Sequence, residues 1–434
     1  MIKKLVIKGL FGRFNYDILL KETTLTILTG PNGYGKSTIL KIIEAFSNFN
    51  IEYFNTITFK KIIIGFDDKE KSFEIVKVKN GIKINSGIFE MKNSFNNEKS
   101  SINYMYSINE FSKRYLKICG EIDDIVTYDK KKENKVLSGN IKEREYTRWM
   151  NIAKNNQYSK SERKSKQNLL DTISEIKESI EEVYFIKEQR LIREKIEDTN
   201  HEVVNVIEEL PDKFKLLMGK LSESYSQTAN ALDSTYPTRL FSMEKGINES
   251  GYKSKMQDIS EKFKKLKEYN ILDIKEFSNV IFNEEYAKAL KIYFDDFNDK
   301  YDVYEEFILK LDLYTRIINE RLSFKRVKIS KDMGLIIYDI DNEKKYLKLS
   351  ELSSGEKQEI VLFFELIFDT PNEILLLIDE PEISLHISWQ KMFINDLLKI
   401  TEHKKFNIVV ATHSPQIINN HWDKQIDLGE LYGN

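Results

Sequence analysis

A single cysteine, Cys119, in 434 residues excludes an intrachain disulfide, and five scattered histidines add no Cys/His spacing that would hold zinc. Neither sign of charge prevails. With 67 Lys and Arg residues against 69 Asp and Glu, the net charge is -2, so no global field draws the chain to nucleic acid or a membrane, and any such contact has to be local. Long hydrophobic runs are missing as well: the densest, Ile374 to Ile378, ends at Asp379, far short of the roughly 20 apolar residues of a membrane span. The opening Met1-Ile2-Lys3-Lys4-Leu5-Val6-Ile7 is too short and too alternating for the core of a signal peptide, so the expected home is a reducing cytoplasm. Six prolines and 17 glycines supply little for a flexible linker, and no internal repeat or low-complexity stretch interrupts the chain.

What is present is apolar and charged in comparable measure, 41% hydrophobic and 31% charged residues, which suits a real core combined with long, surface-rich helices. The length exceeds what one hydrophobic core usually serves, so a core domain carrying an insertion is expected. Strand-like runs from Leu5 to Leu20, broken at Gly9 and Gly12, lead to a buried strand Leu25-Thr26-Ile27-Leu28 and a helix from about Ser37 to Phe46. Alternation at 57–59, 62–66, 73–78 and 82–84, with turns at Asp67-Asp68 and Asn80-Gly81, predicts an antiparallel flap that completes a first segment, 1–100. A charged helical segment is expected over 101–182, a strand-like run over 183–196 and a helical or short coiled-coil insertion over 197–322. Strand signals return at Phe324 to Ile329 and Gly334 to Ile340, and helix and strand then alternate through 323–434. The fold class is α/β, with its halves at the two ends of the sequence.

Gly30-Pro31-Asn32-Gly33-Tyr34-Gly35-Lys36-Ser37 matches G-x-x-x-x-G-K-S/T between a strand and a helix, the context a phosphate-binding loop requires. Asn32, Gly33, Gly35, Lys36, Ser37 and Thr38 are therefore candidate ATP contacts. Glycines let backbone N–H groups face the phosphates, Lys36 reaches the β- and γ-phosphates, and Ser37 offers a hydroxyl to Mg2+. Glu373 to Pro381 is an apolar strand ending in two carboxylates, which alone would suit a helix cap equally well. Coupled to Lys36, Asp379 is a candidate for the Mg2+ shell and Glu380 for polarising the attacking water. Ser353-Ser354-Gly355 at the start of an apolar helix is first of all a capping motif. His413, after the strand Asn407 to Thr412, would on its own pass for a structural histidine. Asp339 and Asp341 read as a hairpin turn rather than a metal site.

In this order, the stretches Gly30 to Ser37, Gln189-Arg190, Leu352 to Gln358, Glu373 to Pro381 and His413-Ser414-Pro415 resemble the ABC-type ATPase heads of the SMC, RecF and OLD-type group. The resemblance implies a P-loop ATPase head split by a helical insertion. It also implies a lid glutamine, Gln189, touching Mg2+, and a switch histidine, His413, on the γ-phosphate. Its signature, Ser353 and Gly355, would serve the nucleotide of a second copy, so that ATP bridges a head-to-head dimer or a higher oligomer. Ser354 and Glu356 replace the usual glycine and glutamine of that signature, and Pro381-Glu382-Ile383-Ser384-Leu385-His386 is similar to the I-D-E-P-E-x-x-L-H stretch of OLD-like ATPases, with His386 where transporters carry aspartate. The residues after His413 are too few for the Toprim nuclease of that family, so no nuclease of its own is expected. The chain thus looks like the ATPase subunits of prokaryotic anti-phage systems such as PARIS and Septu. That resemblance implies a separate nuclease or toxin effector as partner and a phage protein as trigger. The competing resemblance is a RecF-like DNA repair ATPase that clamps DNA. The basic runs Lys130 to Lys132 and Arg163 to Lys166 are flanked by acidic residues and leave nucleic acid undecided between the two.

Overall fold

The computed structural model describes residues 2–21, 24–66, 71–79, 81–85, 87–90, 172, 175–176, 178–187, 190–197, 200–271 and 281–433. The basic runs, Cys119, Gln189 and the Asp67-Asp68 turn lie outside the described residues, as does nearly all of the charged segment expected over 101–182. Among the described residues no helix is long and apolar enough to cross a membrane.

The N-terminal flap is a six-stranded antiparallel sheet. Its members are β1 (Ile2–Leu10), β2 (Phe14–Leu19) and, after β3 (Leu25–Thr29) has left for another sheet, β4 (Lys61–Phe66), β5 (Ser72–Val78), β6 (Gly81–Ile84) and β7 (Gly87–Glu90), in the order β2-β1-β4-β5-β6-β7. Gly9 does not break β1 as the sequence pattern suggests. It takes φ +68 inside the strand, where the register with β2 shifts between Ile7 and Leu10, a bulge that glycine accommodates. Ile57 and Phe59 are buried, but 57–59 joins no strand and runs beside the end of β1, with the Phe11 amide donating to the Thr58 carbonyl at 2.8 Å.

A second, parallel sheet holds the molecule together. Its order is β16-β3-β15-β14-β8, with β8 (Val183–Ile186), β14 (Leu375–Asp379), β15 (Asn407–Ala411) and β16 (Gln425–Asp427). Successive side chains of a strand face opposite sides of its sheet, and both sides here are apolar. Ile27, Leu376, Ile378, Ile408 and Val410 face one core. Leu28, Leu375, Leu377, Val409 and Ala411 face the other, where they meet α1 (Lys36–Ser47) through Ile39, Leu40, Ile43 and Phe46, with the flap packed beyond.

The helical insertion starts later than its sequence pattern suggests. Residues 200–205 do not begin a helix: β9 (Ile192–Glu197) and β10 (Asn200–Asn205) form an antiparallel hairpin, which the β-branched pair Val203-Val204 favours. Three helices follow the short α2 (Ile51–Thr56) and this hairpin: α3 (Val206–Ser242), α4 (Glu249–Glu268) and α5 (Ala287–Asn319). They form an arm whose far part has its own small core of Tyr252, Ile259, Phe263 and Phe294. The chain returns through an antiparallel sheet, β11 (Lys325–Ser330), β12 (Gly334–Asp339) and β13 (Asn342–Leu347). Asp339 and Asp341 are indeed a turn, the Asp341 amide donating to Asp339 Oδ1 at 3.0 Å. Then come α6 (Ser354–Phe364), which runs into a π turn over Glu365–Asp369, α7 (Ile387–Lys404), the short α8 (Pro415–Ile418) and α9 (Leu428–Gly433).

The root of the arm is anchored on α6. Phe214 lies 5.0 Å from the Phe364 ring and 5.1 Å from Phe368, and the buried Tyr314 hydroxyl donates to the Ile360 carbonyl at 3.0 Å. Just past α5, Arg321 is buried between Glu359 of α6, at 3.2 Å, and Asp396 of α7, while its guanidinium stacks over Phe363. Burial outweighs the guanidinium and pushes the Glu359 carboxyl up to about 8. A carboxyl raised on folding holds its proton better in the folded chain, so its contribution to stability is present at low pH and is lost as pH climbs from the ordinary carboxylate range through about 8. Glu359→Gln is expected to remove that loss. Urea-unfolding midpoints of parent and variant should lie close at pH 5 and separate in the variant's favour by pH 8.5; a constant gap would contradict this.

Candidate active site

The motifs around Lys36, Asp379-Glu380 and His413 converge at the carboxyl ends of β3, β14 and β15, the edge at which open α/β sheets bind their ligands. Leu28 pairs with Ala411 and Asp379 pairs with Ala411 on the other side, so the loops after these three strands start abreast. From β3 the chain turns through Gly30, Gly33 and Gly35, all at positive φ, into α1. Gly35 is the tightest of these: at φ +88 an added Cβ would sit 2.9 Å from Leu10 Cδ2. Asn32 and Gly33 are exposed at the tip of the loop, and Ser37 and Thr38 are half-buried in the first turn of the helix.

Lys36 is buried, its ammonium donating to the Gly30 carbonyl at 3.0 Å and lying against the His413 imidazole, 3.2 Å from Nδ1 and closer to Nε2. Burial holds Lys36 below its usual range, opposed by the carboxylates of Glu380, Glu382, Asp379 and Asp427. Glu380 leaves β14 in a left-handed conformation, φ 43, which for a non-glycine residue is strain of the kind found at reactive sites. Its Oε1 is 3.1 Å from His413 Nε2. Burial raises the Glu380 carboxyl, the neighbouring Glu382 and Asp379 add to that, and His413 and Lys36 pull the other way. Nε2 thus stands between a carboxylate and an ammonium: as N–H it donates to Glu380, and as a bare nitrogen it accepts from Lys36.

Ser37 Oγ donates to Asp379 Oδ1 at 3.0 Å, which sets a hydroxyl and a mostly buried carboxylate side by side. Among the described residues no cluster of three or more His, Cys, Asp or Glu is arranged to hold a metal ion by itself. The Ser37–Asp379 pair fits Mg2+, which takes one or two carboxylate or hydroxyl ligands and completes its shell with phosphate and water oxygens.

The structure does not bring Ser353 and Gly355 into this group. Ser353 is exposed and caps α6 in a reciprocal box, its hydroxyl accepting the Glu356 amide at 3.3 Å while Glu356 Oε2 accepts the Ser353 amide at 2.8 Å. Lys325 of β11 holds that carboxylate from the side at 2.9 Å. Gln189 lies outside the described residues. His386 proves to be the N-cap of α7, its Nδ1 accepting the Ser388 amide at 3.4 Å, a role that aspartate also fills.

Several neighbours carried no motif. Asp427, at the end of β16, accepts from the Thr29 hydroxyl at 3.1 Å and from the Gly429 amide at 2.6 Å, closing α9 over the phosphate loop. Tyr432 of α9 stacks edge-on with Tyr34 at 5.9 Å and Phe14 at 4.9 Å, and the Tyr16 hydroxyl donates to the Tyr34 carbonyl at 2.8 Å. Aromatic spacing this far apart in sequence offers no local signal, whereas Asp427-Leu428-Gly429 could have been read as a turn.

A glycine-rich loop with a buried lysine at a helix start, facing two carboxylates on a neighbouring parallel strand, defines a P-loop nucleoside triphosphatase. The chain belongs to the AAA ATPase domain family, which matches residues 1–418, and it is an ATP-binding and ATP-hydrolysing enzyme. No curated protein matches it. Among solved structures it is similar to an Smc head domain with an extended coiled coil bound to the C-terminal domain of ScpA, from Pyrococcus furiosus (15% identity, 98% of this chain and 92% of that one, TM-score 0.32). It is similar also to an SmcHead bound to the C-winged helix domain of ScpA (11%, 98% and 93%, 0.39) and to the SMC head domain from Thermotoga maritima (11%, 96% and 90%, 0.33).

Gly35→Ala is expected to destabilise the fold by about 1–2 kcal/mol, the cost of a left-handed non-glycine residue, with more from the clash at Leu10. Chemical denaturation measures it, and a change below half a kcal/mol would show the loop free to relax.

Proposed function

We propose that the ATPase works as a head-to-head pair that closes on two nucleotides, and that it is the ATP-driven subunit of a prokaryotic anti-phage complex holding a separate nuclease or toxin effector. The observation that carries the pairing is the division of the site: Lys36, Ser37, Asp379, Glu380 and His413 stand together, while Ser353 is exposed and Gly355 half-buried at the start of α6. In the reciprocal box the amides of Ser353 and Glu356 are taken, and those of Ser354 and Gly355 between them lie at the positive end of a helix, able to face the γ-phosphate on a second copy.

Within one copy, Asn32, Gly33, Gly35 and Thr38 shape the amide cradle and Lys36 offsets charge on the β- and γ-phosphates. Glu380 orients the attacking water and takes up its proton, for which its raised affinity suits it. His413 contacts the γ-phosphate and relays its presence to Glu380 through Nε2. Mg2+, held by Ser37, Asp379 and the lid residue Gln189, would supply charge neutralisation at the phosphate oxygens. The effector partnership, with a phage protein as trigger, is supported by the opening Gly9-Leu10-Phe11-Gly12-Arg13-Phe14, which suits the anti-phage ATPase subunits, and by the Pro381 to His386 stretch, which resembles OLD-like ATPases.

Lys36→Ala is expected to abolish ATP binding, and Glu380→Gln to bind ATP without turnover and accumulate as closed dimers on size-exclusion chromatography. Parent-like turnover by Glu380→Gln would remove Glu380 from the role. In mixed dimers of Ser353→Arg and Lys36→Ala chains, only the site that joins an intact signature to an intact Lys36 should hydrolyse ATP; inactivity of the mixture at every ratio would argue against shared sites. Affinity capture of tagged Glu380→Gln co-expressed with its genomic neighbours tests the assembly. A stoichiometric nuclease or toxin is the expected partner, whereas recovery of the ATPase alone with DNA-stimulated turnover of the parent would replace this reading with a DNA-clamping repair ATPase.

A further inference from the structure

One carboxylate at the site has no part in the roles assigned above. Glu382 lies in the 3-10 turn Pro381–Ser384 that follows the left-handed Glu380. Its Oε1 reaches across to the end of β15 and accepts the amide hydrogens of His413 at 2.6 Å and Ser414 at 3.1 Å. The ladder of the parallel sheet stops at Ala411, so the His413 amide needs another acceptor, and a carboxylate supplies the stronger, charge-assisted kind; the Ser414 amide shares it with the Thr412 hydroxyl at 3.0 Å. The other oxygen, Oε2, is buried and accepts no hydrogen bond among the described residues, so both of the carboxylate's hydrogen bonds go to the backbone that carries the histidine.

Gln390 of α7 braces the same junction. Its side-chain amide donates to the carbonyls of Glu382 at 3.3 Å and Leu385 at 3.0 Å, and its Oε1 accepts the Ser414 hydroxyl at 2.6 Å. The loop after β14 and the loop after β15 are thereby clamped to each other. Glu380 belongs to the first, its amide still donating to the Ala411 carbonyl at 2.9 Å, and His413 to the second, where the clamp takes over from the ladder; their side chains are 3.1 Å apart.

We propose that Glu382 is the positioning residue of the site: by binding the His413 and Ser414 amides it fixes the imidazole between Lys36 and Glu380. The inference rests on the reading that His413 serves ATP turnover. Displacement of a reacting group by about 1 Å can cost a hundredfold in rate, which sets the size of the expected effect.

The test compares Glu382→Ala, Glu382→Gln, His413→Ala and the double variant Glu382→Ala/His413→Ala, reading kcat and KM for ATP, the Kd for a fluorescent ATP analogue, and Tm. Glu382→Ala is expected to lower kcat by about a hundredfold at unchanged Kd. The double variant should be no slower than His413→Ala alone, because both changes remove one function. Glu382→Gln, which keeps an oxygen acceptor, should recover most of the turnover. Losses that multiply in the double variant would overturn the positioning role while leaving His413 in place, as would a loss confined to ATP binding. Parent-like turnover by His413→Ala would instead overturn the reading of His413, and this inference with it. If Glu382→Ala is too unstable to assay, Glu382→Gln decides: recovery of Tm without recovery of kcat would count against positioning by the acceptor.

Discussion

The parallel pairing of β3 with β15, and of β15 with β14, is the constraint from which the site follows. Leu28, Ala411 and Asp379 stand in one row, so the loops leaving those strands begin at the same height and bring Lys36 to His413 across 377 positions of sequence. Register is secured on both faces: a slip of one residue would exchange Ile27 with Leu28 and Val409 with Val410 between two cores that are each already filled. Because the entropy of closing a loop grows only with the logarithm of its length, the long excursion through flap and arm adds little to the cost of that pairing.

Around Lys36 the carboxylates of Asp379, Glu380, Glu382 and Asp427 outnumber the cation, and burial shifts both the lysine and Glu380 toward their neutral forms. The carboxylates differ in what they hold: Asp379 accepts from a hydroxyl, Glu382 and Asp427 accept from backbone amides, and Glu380 faces an imidazole. Equal side chains are given unequal tasks by the loops that carry them.

Motifs bound to a local context were legible in the sequence. The phosphate loop, the acidic strand end and the strand before His413 each announce themselves within about ten residues, and the strands and helices on which they sit follow from runs such as Leu375–Asp379 and Asn407–Ala411. The flap was legible from alternation. What escaped depends on distant packing: Asp427 meets Thr29, Arg321 meets Glu359 and Asp396, and Tyr432 meets Phe14, none of which leaves a periodic trace. The β9–β10 hairpin was absorbed into the helical block because its charged, alternating residues suit an exposed helix face as well as a ribbon. Glu382 belongs to the Pro381 to His386 stretch, yet nothing in its neighbours discloses that its carboxylate reaches the end of another strand.

The arm is long for so small a head. At 1.5 Å per residue, the 37 residues of α3 extend about 55 Å, and α5 runs beside it. Its root is pinned to α6 and α7 by Tyr314, Phe214 and Arg321. A rigid rod fixed at one end acts as a lever: a tilt of 5° at the root sweeps its tip through about 5 Å, more than the length of a hydrogen bond. Displacements too small to disturb the core of the head are therefore magnified at the far end of the arm into movements large enough to make or break a contact.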